Sequence, residues 1–252
     1  MTPLGHLMAE FPLDPMLTKM LVSSVDFECS NEILTLVAML SVPYCYYRPR
    51  DKQTQADDKL KKFIHEDGDH LTLINVYNEF INSKENTEWC FKNFLSFRNL
   101  KSAVSIRSQL ANIMVKCSLR IHYMPSNNSL YSTMVRKSIL AGYFTQVAHL
   151  QKSGNYMVVR DNQVVAIHPG SLFNAKPTFV IYHELVLTTK NFIRTVCGVK
   201  PEWLLIEAGS YFNPSLVKNI ETRKELEKAE AGLIKDMSKN GHKQSATNGH
   251  AK

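Results

Sequence analysis

The clearest pattern in the sequence is an amphipathic stretch from Phe97 to Arg120. Its apolar side chains recur at intervals of three and four residues, which is the period of an α-helix. They are Leu100, Ala103, Val104, Ile106, Leu110, Ala111, Ile113, Met114, Val115 and Cys117. Because this stripe covers well over half of the helix circumference, we expect a central helix that other elements contact on several sides.

The remaining side of the same helix is a narrow polar strip, spaced by fours and threes. Its members are Arg98, Ser102, Ser105, Gln109, Asn112 and Lys116. Solvated helix faces usually mix Glu with Lys, whereas this strip has no acid and carries a cation at each end. Two interpretations are therefore open, an ordinary solvated face and a surface that binds a polyanion.

Arg107 interrupts the pattern, because its direction falls between Leu100 and Met114 inside the apolar sector. A guanidinium in that position must find an acceptor or cost several kcal/mol. One hypothesis is a structural ion pair with an acid from a neighbouring helix. The other is a contact with a ligand phosphate.

Shorter helices are predicted on both sides of this stretch. Asp14 caps a helix that starts at Pro15, and Ser30 caps the next one. A further helix follows Asp69, and another runs from Ser129 to Tyr143 with Gly142 as a left-handed cap. The opening residues TPLGHLMAEFP are typical of a helix in a domain that has already begun, so we expect this domain to be truncated.

After Gly142 the period changes from helical to alternating, which indicates β-strands. The candidate strands are VAHL, YMVV, VVAIH, TFVIYHELVL, NFIRTV and WLLIE. Asp161-Asn162 fits a tight hairpin turn, and Thr189 to Asn191 fits another. Five or six such strands suit a small closed barrel of the oligonucleotide-binding kind. The predicted fold class is therefore α+β, a mainly helical N-terminal part followed by an antiparallel barrel.

Near the predicted barrel turns the charged side chains are basic, and two aromatic rings lie beside them in sequence. The cations are Lys152, Arg160, Lys176, Lys190 and Arg194. The rings are Tyr182 and Phe192. Such rings and cations can hold a single strand by stacking and phosphate contact. Alternatively, the rings fill the barrel interior.

Composition limits the kinds of protein and partner that fit this chain, but it does not identify a function. The chain has 252 residues, a formal net charge of +7 and a sequence pI of about 9.1, which makes phosphate-rich partners plausible. No apolar run reaches membrane-spanning length, and the first residues lack the features of a signal peptide, so we expect an intracellular protein. Five cysteines without a CxxC pair indicate reduced thiols rather than a disulfide framework or a zinc site.

Motifs for catalysis and metal binding are scarce. The sequence has no GxxxxGK[ST], no GxGxxG after a strand, no GxSxG and no HExxH. His65 and His70 with Asp67 and Asp69 between them could form a metal cluster, but Asp67-Gly68-Asp69 is more typical of a turn followed by an N-cap. We therefore predict a basic module with no catalytic or metal site of its own.

Several long blocks resemble the helicase-associated C-terminal region of DEAH-box RNA helicases. They are PLDPMLTKML, CSNEILTLVAMLSVP, HEDGDHLTLINVYNEF, WCFKNFLSFRNLKSAVSIRSQL, GNYMVVRDNQVVAIHPGSLF, VIYHELVLTTKNFIRTV and KPEWLLIEAGSYF. The resemblance covers nearly everything from Thr2 to about Phe212. Within the family the chain is most similar to the pre-mRNA-processing type that disassembles intron-lariat spliceosomes and also works in ribosome assembly.

This resemblance implies three segments, a partial winged helix in residues 1–50, a ratchet-like helical bundle in 51–142 and an OB-fold barrel in 143–212. Beyond the match, the polar and mixed-charge composition of residues 213–252 predicts a charged helix with a disordered tail. In the family, two RecA-like motor domains precede this region and bind ATP and Mg²⁺. We therefore expect this chain to hold no cofactor and to be inactive alone, and we expect a nuclear protein with nucleolar and cytoplasmic pools.

The resemblance also implies contacts with single-stranded RNA, which in the family runs between the motor domains and this region. Arg98, Ser102 and Arg107 lie in the matching FRNLKSAVSIRSQL block and are expected to contact phosphate or sugar. Lys190, Arg194 and Thr195 lie in the matching LTTKNFIRTV block and are the expected contacts in the barrel. Phosphate contacts make binding salt-dependent and nearly independent of base sequence.

Members of this helicase type are activated by G-patch proteins, whose short helix rests on the winged-helix face. Leu36, Met39 and Leu40, in the matching ILTLVAMLSVP block, are expected to form part of that docking site, unless they are ordinary core. The chain departs from the family pattern at Gly209, where a proline is usual, and at HPGSLF. The alternative function is a freestanding protein-interaction module that does not bind RNA.

Overall fold

We describe the fold from a computed structural model, which describes residues 2–188 and 190–247. The helices within these residues are α1 (Pro3–Ala9), α2 (Pro15–Ser23), α3 (Ser30–Leu40), α4 (Gln53–Leu60), α5 (Asp69–Asn82), α6 (Thr87–Lys92), α7 (Phe97–Lys116), α8 (Tyr131–Tyr143), α9 (Pro201–Ala208) and α10 (Ile220–Thr247). The strands are β1 (Val147–Leu150), β2 (Tyr156–Val158), β3 (Val164–Ile167), β4 (Phe179–Leu187) and β5 (Asn191–Val199). None of the described helices is both long enough and apolar enough to cross a membrane.

The helical half begins where the sequence places its capping residues. The Asp14 carboxylate accepts a hydrogen bond from the Met16 backbone N–H at 2.8 Å, and Pro15 occupies the first helical position. The helices α2, α3, α5, α7 and α8 then bury their apolar faces in one continuous core. The predicted boundary between residues 1–50 and 51–142 therefore does not separate two hydrophobic cores.

The helix α7 is less central than its apolar stripe predicts. Only Leu100, Ala103, Leu110 and Met114 are fully buried, and Val115 is exposed. The helix packs mainly against α3 and also contacts α6, and its Phe97 ring meets Phe80 of α5 edge-on. The expectation of contacts on several sides therefore holds for the apolar stripe, whereas the opposite polar strip faces solvent.

The strands close into a barrel with the order β1-β2-β3-β5-β4. All neighbouring pairs are antiparallel except β3 and β5, which run parallel. Asn162 in the turn between β2 and β3 has a φ of 59°, which fits the tight hairpin predicted there. The turn between β4 and β5 includes Thr189, so that predicted turn lies partly outside the described residues.

The barrel has a small apolar core of its own. It consists of Ala148, Tyr156, Val158, Val165, Phe173, Val180, Tyr182, Ile193 and Val196. Tyr182 therefore fills the interior rather than offering its ring to a ligand, because its direction on β4 points inward. The predicted fold class, helices followed by an OB-fold barrel, is confirmed.

The stretch WLLIE is helical rather than a sixth strand. It lies in α9, which Pro201 opens at the first position with Glu202 in the first turn. Both features favour a helix start. Short apolar runs do not distinguish a strand from a buried helix, which explains the wrong prediction.

The C-terminal helix α10 starts against the barrel and continues beyond it. Thr222, Leu226 and Ala229 are buried, whereas Ile234 is exposed. The helix extends to Thr247, into the stretch predicted as a disordered tail, and residues 248–252 of that prediction lie outside the described residues.

Asp69 joins the two halves of the molecule. It is the first residue of α5, and Gly68 rather than Asp69 occupies the N-cap position. Its carboxylate accepts hydrogen bonds from the Leu172 and Val196 backbone N–H groups at 3.0 Å each, and from the Ser171 hydroxyl at 2.6 Å. The carboxylate therefore holds β5, at Val196, and the segment before β4, at Ser171 and Leu172, against the helical half instead of capping its own helix.

Candidate nucleic-acid interface

The outer face of α7 is open to solvent. Arg98 and Ser102 near its start are exposed, and so are the other members of the polar strip, Ser105, Gln109, Asn112 and Lys116. Between Phe97 and Lys116 the helix contains no acidic residue. We call this surface the α7 outer face. It presents hydroxyl, amide and cationic groups without a carboxylate of its own helix that would repel a phosphate.

The start of α7 is attached to the segment between α3 and α4, which also contacts the barrel. The Ser96 hydroxyl caps the helix by accepting a hydrogen bond from the Asn99 backbone N–H at 3.3 Å. The Asn99 side-chain amide donates to the carbonyl oxygens of Pro43 and Tyr44, at 3.1 Å each. Tyr44 is consequently held next to the end of the α7 outer face that carries Arg98.

Tyr44 also contacts the barrel. The Arg194 guanidinium on β5 lies over its ring, 5.1 Å from the centroid, and its hydroxyl donates to the Gly170 carbonyl at 3.2 Å. Tyr44 is partly exposed. A ring and a cation stacked at an open junction form a surface that can contact both a base and a phosphate.

Arg194 is held by an acid as well as by the ring. Its Nε and Nη2 atoms pair with the Glu184 carboxylate on the neighbouring strand β4. Both side chains are about one-third exposed, so solvent weakens the pair and leaves the guanidinium accessible. The two side chains line a cavity of about 250 Å³, together with Leu40 and His183. Glu184 and Tyr44 were not selected from the sequence.

Thr195 lines the same cavity but is largely buried. Its φ of 54° is unusual for a β-branched residue and marks a local distortion of β5. The next residue, Val196, donates its N–H to Asp69 instead of to a strand, which holds the distortion in place. Thr195 therefore shapes the cavity wall, and its hydroxyl is less accessible to RNA than the sequence suggested.

Lys190 lies at the turn between β4 and β5 and is exposed. Its backbone carbonyl accepts hydrogen bonds from the Thr188 N–H at 3.1 Å and the Thr188 hydroxyl at 2.9 Å. The turn therefore fixes the backbone while the ammonium group extends into solvent. Both cations of the matching block belong to the β4–β5 hairpin, Lys190 at its turn and Arg194 within β5. We call this part of the hairpin, from Lys190 to Arg194, the β4–β5 rim.

Arg107 does not share a surface with Arg98. At 3.6 residues per turn the two side chains point about 180° apart around α7. The Arg107 Nε donates to the Thr35 hydroxyl at 2.9 Å, and its Nη2 donates to the Asn31 amide oxygen at 2.5 Å, both on α3. Its guanidinium also lies 5.9 Å from the centre of the Tyr77 ring. The ion pair hypothesis is thus wrong in its partner, because neutral acceptors replace the acid.

Two of the residues expected in a docking site for a partner helix are in the core. Leu36 and Met39 are buried among the helices, and only Leu40 is partly exposed, at the cavity beside Arg194. Leu36 is completely buried, whereas Met39 lines the same cavity as Leu40 with a small exposed part of its side chain. Leu36 therefore belongs to the core, and docking of a partner helix at Met39 and Leu40 stays a prediction.

Histidines near the cavity are kept neutral by burial. Burial lowers the pKa of His183, whose Nδ1 forms a 2.6 Å hydrogen bond with the Tyr143 hydroxyl. His70 is completely buried beside Tyr143, and burial lowers its pKa to about 3. Neither imidazole adds positive charge to the interface at neutral pH, so its basic character comes from arginine and lysine.

The acids of the HEDGDH stretch make contacts within the protein. Asp67 pairs with Arg136 at 2.9 Å and accepts a hydrogen bond from Ser132, while Asp69 holds the barrel. Among the described residues, no group of three or more His, Cys, Asp or Glu side chains could hold a metal ion.

Two protein-family models match the chain. Residues 14–73 match the helicase associated domain (HA2), ratchet-like. Residues 135–211 match the oligonucleotide/oligosaccharide-binding (OB)-fold. The first range begins inside residues 1–50, so the winged-helix boundary at residue 50 stays a prediction. These matches show a ratchet-like helicase-associated domain and an OB-fold in this chain, in the order in which the sequence resemblance predicts them.

Proposed function

We propose that this chain guides single-stranded RNA along the α7 outer face and onto the β4–β5 rim of the barrel. The observation that carries the proposal is the attachment of the start of α7 to the barrel through Asn99, Tyr44 and Arg194. Arg98 precedes Asn99 on α7 and Ser102 follows about one turn later, so in our proposal both lie on the path that continues to Arg194. An unpaired strand could then contact cations on both elements without leaving the surface.

The chemistry of the surface suits a backbone contact that does not distinguish bases. Arg98 and Lys190 supply charge to phosphates, and Ser102 can donate to phosphate or sugar oxygen atoms. Tyr44 and Arg194 supply a stacked ring and cation. Arg107 and Thr195 do not belong to this path in our proposal, because one faces α3 and the other is buried.

The same proposal assigns the chain a role in a larger motor. ATP and Mg²⁺ would bind RecA-like domains of the parent helicase, since this sequence has no phosphate-binding loop. We further propose action in pre-mRNA splicing, at spliceosome disassembly, with a second role in ribosome biogenesis and a nuclear location. Leu40 and Met39, which line the cavity beside Arg194, are the candidates among the apolar residues for contact with a G-patch activator.

A salt series with fluorescently labelled oligouridine tests the RNA proposal directly. For single strands the slope of log affinity against log salt is about −0.7 per phosphate contact. We expect steep dependence for the wild-type chain, and a slope shallower by about 0.7 in Arg98→Ala. Lys235→Ala, which removes an exposed cation from the far part of α10, is the matched control. Absence of binding at low salt would instead favour the protein-interaction module.

A further inference from the structure

A second cleft lies on the other side of α7, away from the proposed RNA path. Its volume is about 850 Å³, and it lies between α3, α5, α7 and the segment before α8. Thr35, Asn78, Arg107 and Tyr123 each come from a different one of these four elements. We call this space the α5 cleft. The side chains of the proposed RNA path do not line it.

Asparagine side chains form a row along the α5 side of the cleft. Asn75, Asn78 and Asn82 recur at intervals of three and four residues and line the cleft together. Along the helix axis Asn78 and Asn82 are separated by about 6 Å, and Asn75 and Asn78 by about 4.5 Å. Alternate residues of an extended chain are about 6.6 Å apart, so the amides of Asn78 and Asn82 can meet successive main-chain groups on one side of such a chain.

The row keeps most of its hydrogen-bonding capacity. Asn75 donates to the Phe63 carbonyl at 3.0 Å, and Asn82 donates to the Glu79 carboxylate at 3.2 Å, so both keep a free amide oxygen. Asn78 is exposed, and its side chain forms no hydrogen bond within the described residues. A primary amide both donates and accepts, as the N–H and C=O groups of a peptide main chain require.

The charges of the cleft balance one another. Arg107 and Lys62 are the cations, and Glu32 and Glu79 are the acids. The Lys62 ammonium lies over the Phe63 and Trp89 rings, at 4.8 and 5.5 Å from their centroids. Both Glu32 oxygens accept hydrogen bonds, from Asn31 and from the Met124 N–H. A polyanion gains little electrostatic attraction from such a surface, whereas a neutral main chain meets no electrostatic repulsion there.

Apolar side chains remain exposed at the edges of the cleft. Tyr123 is 70% exposed and Ile81 is 39% exposed, although both line the space. Arg107 uses its Nε and Nη2 atoms on α3, and its Nη1 forms no hydrogen bond within the described residues. The cleft thus offers two apolar contacts and one free guanidinium donor besides the row of amides.

We propose that the α5 cleft binds an extended peptide segment of a partner protein. The asparagine row pairs with the main chain of the segment, and Tyr123 and Ile81 contact its apolar side chains. One carboxylate of the segment accepts from the free Arg107 Nη1. This site is separate from the proposed RNA path, and it does not depend on RNA binding elsewhere.

The test is selection of phage-displayed random decapeptides on the intact 252-residue chain. Selected peptides are then synthesised with capped ends and measured by fluorescence anisotropy. We expect enriched peptides with at least one acid and apolar residues at alternate positions. Asn78→Ala removes a side chain with no structural hydrogen bond, and we expect it to weaken binding about tenfold, the loss of two hydrogen bonds.

Asn174→Ala, an exposed asparagine in the segment between β3 and β4, is the matched control and should bind the peptides as the wild type does. Tyr123→Ala should weaken binding as well, since it removes an apolar contact. Failure to enrich any sequence, or equal affinity for Asn78→Ala and Asn174→Ala, would overturn the proposal. Loss of oligouridine binding in Asn78→Ala would show that the cleft is an RNA site instead.

Discussion

Single polar side chains fix the geometry of this molecule at the places where elements meet. Arg107 holds α7 to α3 through Thr35 and Asn31, and Asn99 holds the start of α7 to Tyr44. Each contact uses a side chain whose length lets it cross between elements. Their loss therefore affects the relative position of elements as well as local hydrogen bonding.

Arg107→Ala should destabilise the protein more than Arg98→Ala. The first substitution leaves the partly buried Thr35 and Asn31 without their donor, which costs about 1–3 kcal/mol. The second removes an exposed side chain with an expected effect below about 0.5 kcal/mol. Urea denaturation of both variants measures the difference. Equal free energies of unfolding would contradict the structural role of Arg107.

Buried histidines should make the protein less stable in acid. Burial lowers the pKa of His70 to about 3, below its ordinary value near 6.5 in the unfolded chain. Above pH 6.5 the imidazole is neutral in both states. As the pH falls toward 3, only the unfolded chain binds the proton, so stability falls by up to about 1.4 kcal/mol per pH unit.

His70→Leu removes this titration and fits an apolar site where neither ring nitrogen has a partner among the described residues. We expect the free energy of unfolding to fall less steeply between pH 6 and pH 4 than in the wild type. Measurement at pH 8, where the imidazole is neutral in both states, serves as the reference. An unchanged slope would contradict the assignment to His70.

At the scale of elements, the close approach of α2 and α8 depends on Gly142. A Cβ atom at this position would lie 2.4 Å from the Met16 carbonyl oxygen and 2.7 Å from the Met20 Cβ. The helix α8 continues to Tyr143, so Gly142 is not the left-handed cap predicted from the sequence. Its lack of a side chain serves helix packing instead.

Gly142→Ala should destabilise the protein by about 1–3 kcal/mol, because the added methyl group forces α2 and α8 apart. Gly232→Ala makes the same chemical change in α10, where a Cβ atom would meet nothing within 4 Å. That substitution should stabilise the helix by about 1 kcal/mol through its propensity. Thermal unfolding of both variants is followed by circular dichroism. Changes of the melting temperature in the same direction for Gly142→Ala and Gly232→Ala would refute the packing argument.

At the scale of the whole molecule, the helical half and the barrel are coupled. Asp69 accepts hydrogen bonds from Leu172, in the segment before β4, and from Val196 of β5. Gly68 pairs with Cys197 of β5 through the backbone. Gly68 has a φ of 143°, and a Cβ atom there would lie 2.4 Å from the Val196 carbonyl oxygen. The two halves therefore meet through backbone contact as well as through side chains.

This coupling predicts one cooperative unfolding transition. Single-tryptophan variants that retain either Trp89 in α6 or Trp203 in α9, the helix that follows β5, should report the same midpoint. Asp69→Ala leaves two backbone N–H groups unpaired, and we expect both midpoints to fall together with a loss of about 3 kcal/mol. Asp236→Ala, at an exposed position, is the control. Separate transitions in the wild-type chain would show two independent domains.

The sequence by itself determined which segments form helices and strands, because periodicity and capping are local. The outer face of α7 and the barrel strands β1 to β5 follow from the order of apolar and polar residues. The identity of the two domains also follows from the order of residues, since family resemblance is a property of the sequence. WLLIE was one exception, because a short apolar run fits either secondary structure, and the end of α10 was another, because its polar residues predicted a disordered tail.

Only the tertiary structure decided which side chains share a surface. It paired Arg107 with Thr35 and Asn31 of α3, placed Leu36 and Met39 in the core, and joined Tyr44 to Arg194 across 150 positions of the chain. It also showed that Asp69 holds the barrel rather than capping its own helix. The physical reason is that these contacts depend on how helices and strands pack at long range, which local periodicity does not encode.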